Sequence, residues 1–176
     1  MPEELLMQLG TQDLSLMRRL ALAPHPSRLR RGVWILITHL GGAVPTIAAA
    51  GLPWFACCAL HEASRLALLT LVASHLVVQV LKRTIVRPRP LVLDGYGIAA
   101  PDRFSFPSGH AAAAMSVAMG YSVAFPMWAA PLLFWAVLVG FSRVRLAVHY
   151  PSDVIAGQLI AGVTAAMTLL IYPSLS

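Results

Sequence analysis

The sequence predicts an all-α fold: a polytopic transmembrane helical bundle of about five spans, or six, preceded by an amphipathic helix lying at the membrane interface. Two observations carry this. Of the 176 residues, 58% are apolar and 11% charged, against roughly 45–50% and 25% in a soluble domain. A chain this short cannot clothe that apolar surface in polar groups, so the excess must face lipid. The apolar residues also fall in long runs, with the charge gathered between them. The same composition excludes a disordered chain and an ordinary cytosolic enzyme. Cys57 and Cys58, adjacent in an apolar run, sit too close for a normal disulfide and read as packing residues.

Residues 1–31 form one predicted unit and 32–176 the membrane domain. In the first, Leu14, Met17 and Leu20 recur at helical spacing beside Arg18 and Arg19, which suits an interfacial helix ending before Pro24-His25-Pro26. Val33 to Leu60 carries no formal charge and exceeds the ~20 residues that cross a bilayer. Gly41, Gly42, Pro45, Gly51 and Pro53 interrupt it, so its span is expected to begin after the glycine pair. A polar hinge, His61 to Arg65, precedes the second run, Leu66 to Leu81, which ends at Lys82-Arg83. Val86 to Phe106 reads as a loop, rich in proline, glycine and charge. His110 to Phe125, a short Leu132 to Phe141 behind Pro126 and Pro131, and Val154 to Tyr172 complete the count. Gly120, Gly157 and Ala161 suit close helix packing in lipid. His39 and His75 read as helix-packing groups; Asp94, Asp102 and Arg103 read as a solvated loop.

Three polar clusters remain, each open to two readings. Lys82-x6-Arg89-Pro90 is either a basic flank that orients the preceding helix or an anion clamp, with a guanidinium fork and an ammonium aimed by stiff prolines. Pro107-Ser108-Gly109-His110 is either a helix start capped by Ser108 or an oxyanion cradle at a helix N-terminus, with an imidazole at its mouth. Ser142-Arg143-x5-His149-x3-Asp153 holds either an Asp and a His satisfying each other at an interface, or an imidazole whose one nitrogen is held by a carboxylate while the other attacks. The helix count places all three clusters on one membrane face, where independent flanks would scatter over both.

As a set, these motifs resemble the three-part signature of the type 2 phosphatidic acid phosphatase superfamily, the integral membrane lipid phosphate phosphatases, over Leu66 to about Tyr172. Members commonly have six spans, and this chain lacks a match to the first. The resemblance implies that His149 attacks phosphorus to form a phosphohistidine while Asp153 holds its tautomer. It implies that His110 protonates the leaving oxygen and then activates water. Lys82, Arg89 and Arg143, with Ser108 and the Gly109 N–H, would hold the phosphoryl oxygens. No cofactor is expected, and no Asp, Glu and His set is left over to bind a metal. The implied partners are the bilayer and a lipid phosphate, of the undecaprenyl diphosphate or of the phosphatidylglycerophosphate and phosphatidic acid type, in a bacterial inner membrane. A nucleic-acid partner is not expected, because the +6 formal charge divides between the motif cations and the N-terminal arginines. Those arginines favour a cytoplasmic site by the positive-inside rule, whereas bacterial members commonly place it on the periplasmic side. Two alternatives stay open: a non-catalytic lipid-phosphate carrier, and a vanadate-dependent haloperoxidase, which shares the signature but is soluble.

Overall fold

The computed structural model describes residues 2–23, 25–56, 58–90 and 103–172. Asp94 and Asp102 lie outside these, as does Cys57. The described residues form seven α-helices: α1 (Pro2–Leu20), α2 (Arg28–His39), α3 (Ala43–Gly51), α4 (Cys58–Ile85), α5 (Gly109–Ala124), α6 (Ala129–Arg145) and α7 (Pro151–Ile171). The chain is a transmembrane helical bundle and an integral membrane protein.

The first apolar run is broken where its glycines fall. Ser27 caps α2 by accepting from the Arg30 N–H at 3.3 Å, and α2 and α3 meet at a 47° bend across the break. A methyl group on Gly41 would come within 3.1 Å of the His110 carbonyl oxygen, so the glycines let this bend sit directly against the start of α5. The expected hinge at His61 to Arg65 is instead helical, inside α4. No Pro or Gly interrupts α4, and helical geometry brings two of these charges together: Arg65 pairs with Glu62 at i,i+3. His61 packs on Trp54, with ring centroids 3.8 Å apart. The chain turns earlier, at the 3₁₀ turn Leu52–Phe55. The fourth span is also longer than expected, because Pro131 falls in the first turn of α6, where its missing N–H breaks no hydrogen bond.

Among the described residues, three helical stretches have the length and hydropathy to cross a membrane, Leu60–Ile85, Pro126–Arg145 and Pro151–Ile171, and the bent α2–α3 pair makes a fourth if taken as one span. The remaining expected span, α5, has 16 residues, about 24 Å of helix. It is the central helix, and its Ala111, Ala112, Ala114, Met115, Ser116, Ala118 and Gly120 are buried. A methyl at Gly120 would fall 2.5 Å from the Ala67 Cα, so this glycine sets the close approach of α4 and α5. Ser74 and Ser116 hydrogen-bond across the same interface at 2.8 Å. Outward-facing Phe134, Leu159, Val163 and Leu170 are exposed, the surface expected against lipid.

α1 is docked on the bundle. Met17 is buried among Ala111, Val144, Ala147 and Val154, and the chain after α1 is pinned by Leu22 N–H to the Arg145 carbonyl at 2.9 Å and by Arg145 Nη1 to the Leu20 carbonyl at 2.8 Å.

Candidate active site

The clusters meet at one end of the bundle, where α4 and α6 finish and α5 and α7 begin. Lys82, Arg89, Gly109, His110, Arg143 and His149 line a single cavity of about 680 Å³. It continues along α4 past Gln79 and His75 to Leu68, with Thr46 and Ile47 of α3 opposite.

Local backbone devices aim these groups. α4 stops at Val86, whose φ of 49° is unusual for a β-branched residue and reverses the chain. The extended run that follows is held by a bridge between Pro88 and Phe104 and by Ser105, whose N–H donates to the Arg87 carbonyl at 2.9 Å. At the end of α6, Ala147 adopts φ 53°, the left-handed geometry that closes helices. The Val148 and His149 N–H groups then fold back to the Arg143 carbonyl at 3.1 and 3.3 Å, which turns His149 into the bundle. Pro151 opens α7, and Asp153 Oδ2 accepts from the Tyr150 N–H at 2.9 Å, fixing the carboxylate in the first turn.

His149 and Asp153 are almost wholly buried, at 2% and 0% exposure. His149 Nε2 lies 3.1 Å from Arg89 Nη1, which also donates to the Val148 carbonyl at 2.8 Å. A guanidinium only donates, so Nε2 is the lone-pair nitrogen and Nδ1 carries the hydrogen; Nδ1 makes no hydrogen bond among the described residues, and Asp153 Oδ2 is its carboxylate neighbour, 3.4 Å away. Burial pushes the His149 pKa down to about 4; Asp153 opposes the shift, and the Arg143 and Arg89 charges reinforce it. The ring is therefore neutral at pH 7, with its unprotonated nitrogen turned to the arginine that lines the cavity.

The cations are fixed by carbonyls and hydroxyls. Lys82 Nζ donates to the Phe104 carbonyl at 3.2 Å, and Arg143 Nη1 donates to Thr38 Oγ1 of α2 at 2.8 Å. Ser108 does not act as a cap: its side chain makes no capping bond, and its fully buried Oγ has no hydrogen-bond partner among the described residues. Its N–H instead donates to the Asp153 carbonyl at 2.9 Å, tying the second cluster to the third. At Gly109 a methyl would meet only Val78 within 4 Å, at 3.9 Å, so the backbone beside the cavity is open to a ligand. Among the described residues, no group of three or more His, Cys, Asp or Glu is placed to hold a metal ion.

Three partners were not legible in the motifs. Arg87 donates through Nη1 to Asp153 Oδ1 and to Ser152 Oγ, each at 2.7 Å, and through Nη2 to Asp13 Oδ2 of α1 at 2.7 Å. Its guanidinium lies 4.0 Å over the Tyr150 ring. Burial opposes the Arg87 charge, and the Asp13 and Asp153 carboxylates outweigh it, leaving its pKa raised. Asp13 also accepts from the Ser152 hydroxyl and from the Ser152 N–H, the latter at 3.2 Å. Arg87 could have been found, since Arg87 and Arg89 share a side of any extended run. Asp13 and Thr38 carried no such signal.

Residues 63–175 match the model of the PAP2 superfamily. The chain is 34% identical over 110 residues to the lipid A 1-phosphatase of Rhizobium etli, a match spanning 58% of this chain and 47% of that protein. It is 44% identical over 61 residues to the undecaprenyl-diphosphatase of Sulfolobus acidocaldarius, spanning 34% of this chain and 30% of the relative. The chain thus spans half or less of the length of these relatives. Its fold is similar to that of the crystal structure of Aquifex aeolicus LpxE, with a TM-score of 0.76 at 27% identity, covering 89% of this chain and 94% of that one.

Proposed function

The chain belongs to the PAP2 superfamily, and from that premise we propose that it is a lipid phosphate phosphatase working through a phosphohistidine, in a bacterial inner membrane. One observation carries the reading: a buried His149 lies with Nδ1 3.4 Å from Asp153 Oδ2 and Nε2 3.1 Å from Arg89 Nη1, on a cavity also lined by Lys82, His110 and Arg143. A carrier would need only the cations.

In the first step, the Nε2 lone pair attacks phosphorus and the bond to the lipid oxygen breaks. His110 delivers a proton to that oxygen, and Asp153 stabilises the charge that develops on the His149 ring. In the second step His110, now unprotonated, takes a proton from water; the resulting hydroxide attacks phosphorus, the N–P bond breaks, and phosphate leaves. Phosphoryl transfer asks for in-line placement and neutralisation of equatorial charge, which falls to Lys82, Arg89, Arg143, the Ser108 hydroxyl and the Gly109 N–H. Recognition of a lipid rather than a soluble phosphate is supported by the cavity's path along α4 toward the exposed apolar surface.

The test is phosphate release from phosphatidic acid, lipid A and polyprenyl phosphates by purified protein in EDTA, with acid- and base-quenched samples from ³²P-labelled substrate. The expected result is turnover with an acid-labile, base-stable label on the protein, both lost in His149→Ala. Turnover in that variant at the wild-type rate would overturn the assignment.

A further inference from the structure

We infer that the lipid taken by this site carries ester, amide or hydroxyl groups directly behind its phosphate, and that His75 and Gln79 of α4 read them. The inference rests on the phosphatase reading above. Lys82, Gln79 and His75 follow one another on one face of α4 at helical spacing, and all three line the cavity. At 1.5 Å per residue, Gln79 lies about 5 Å and His75 about 10 Å along the axis from Lys82. Beyond His75 the same face continues with Val72, Leu71 and Leu68. The wall therefore runs from cation, through two neutral hydrogen-bonding groups, to hydrocarbon, which is the order of parts in an acylated phospholipid or saccharolipid.

Helix packing does not account for this pair. Among the described residues, the one side-chain hydrogen bond of His75 and Gln79 is to each other, along α4, at 3.4 Å between the two Nε2 atoms, and it does not tie α4 to a neighbour. The amide donates and the imidazole Nε2 accepts, which leaves the His75 Nδ1–H and a second Gln79 N–H as donors, with the Gln79 carbonyl as acceptor. Polar groups at this depth are costly unless they line a polar path or meet a polar partner. Carbonyl oxygens a few ångströms behind a phosphate would supply that partner. A polyprenyl chain has none, being hydrocarbon from its first carbon.

The experiment compares kcat/KM of the purified wild-type protein in mixed micelles on dioleoyl phosphatidic acid, its diether analogue, lipid A and a polyprenyl monophosphate. The better of phosphatidic acid and lipid A should exceed both carbonyl-poor lipids by about tenfold, and which of the two leads identifies the backbone read as glycerol or sugar. In the His75→Leu/Gln79→Leu double variant, the ratio of acyl-lipid to polyprenyl kcat/KM should fall by about tenfold, the effect of losing two neutral hydrogen bonds to a ligand. Equal rates on diester and diether with lipid A no better, a polyprenyl preference in the wild type, or an unchanged ratio in the variant would overturn the inference. The wild-type comparison decides the matter even if the variant fails to fold. Failure to release phosphate from any lipid would instead remove the phosphatase reading.

Discussion

Replacing Arg87 by Met should cripple turnover while sparing substrate affinity. Arg87 stands outside the cavity lining and reaches the chemistry through Asp153, so it is a positioning residue. Its loss strips Asp153 Oδ1 of a 2.7 Å charge-assisted bond and leaves a fully buried carboxylate with the Tyr150 N–H and His149. Removing one partner of a buried pair costs about 3–5 kcal/mol, and a hydrogen bond to a charged group about 1.5–3 kcal/mol. Arg87 is 23% exposed on its side chain, so water replaces part of what it gives, and about 2–3 kcal/mol is the working figure. If that appears in the orientation of His149, kcat falls about 30- to 150-fold with KM nearly constant. Arg87→Lys should recover part of the loss, since one ammonium cannot serve Asp153, Ser152 and Asp13 together. Asp13→Asn should give a milder decrease of the same kind, acting from α1. Phosphate-release kinetics with kcat and KM separated, alongside thermal unfolding in detergent, provide the readout. An unchanged kcat in Arg87→Met, or a loss confined to KM, would refute the argument.

Two other outcomes follow from the site. Ser108→Ala should lower kcat/KM by about 10- to 150-fold, the worth of one hydrogen bond to a charged group at about 1.5–3 kcal/mol, without the roughly 1 kcal/mol loss of stability that removing a true N-cap brings; unfolding midpoints and kinetics separate the two. The folded His149 has a pKa of about 4, below the ~6.5 of an unfolded histidine, so between those values the unfolded chain binds the extra proton. Burying the neutral ring therefore contributes stability that is complete above about pH 6.5 and lost as pH falls toward 4. His149→Gln should flatten that part of the stability profile, and an unaltered acid limb would contradict the buried neutral ring.

The bundle and the meeting of the motifs were legible because lipid leaves a chain few choices: apolar runs must become helices, and parity of spans fixes which ends share a face. Helix ends were less legible. His61 to Arg65 looked like a hinge by composition, yet with no Pro or Gly present and Glu62 able to pair with Arg65, nothing forces the helix to stop. At the site, the residues proposed to bear the reaction were marked by type and spacing, whereas residues that hold them were not. Asp13 meets Arg87 across 74 positions of chain, and Thr38 meets Arg143 across 105; such contacts exist only once α1 and α2 have packed on α6 and α7.

The length of α5 bears on the proposed phosphate cradle at its start. A helix of 16 residues spans about 24 Å, less than the ~30 Å hydrocarbon core, so it suits the middle of a bundle, shielded from lipid, better than a lipid-facing position. Its neighbours α4 and α7, of 28 and 21 residues, outreach it. The start of α5 is enclosed by its neighbours, with Ser108 at 0% exposure beside Asp153, also at 0%. An enclosed helix start offers N–H groups and a positive dipole end in low-dielectric surroundings, where both interact more strongly with an anion than at a wet surface. The groove along α4 then becomes the natural approach, since its lining passes from Lys82 to the exposed Leu76 and Val72. In this reading, α5 is shorter than α4 and α7 in keeping with an anion site at its start, and the cavity past Gln79 and His75 lies beside that start.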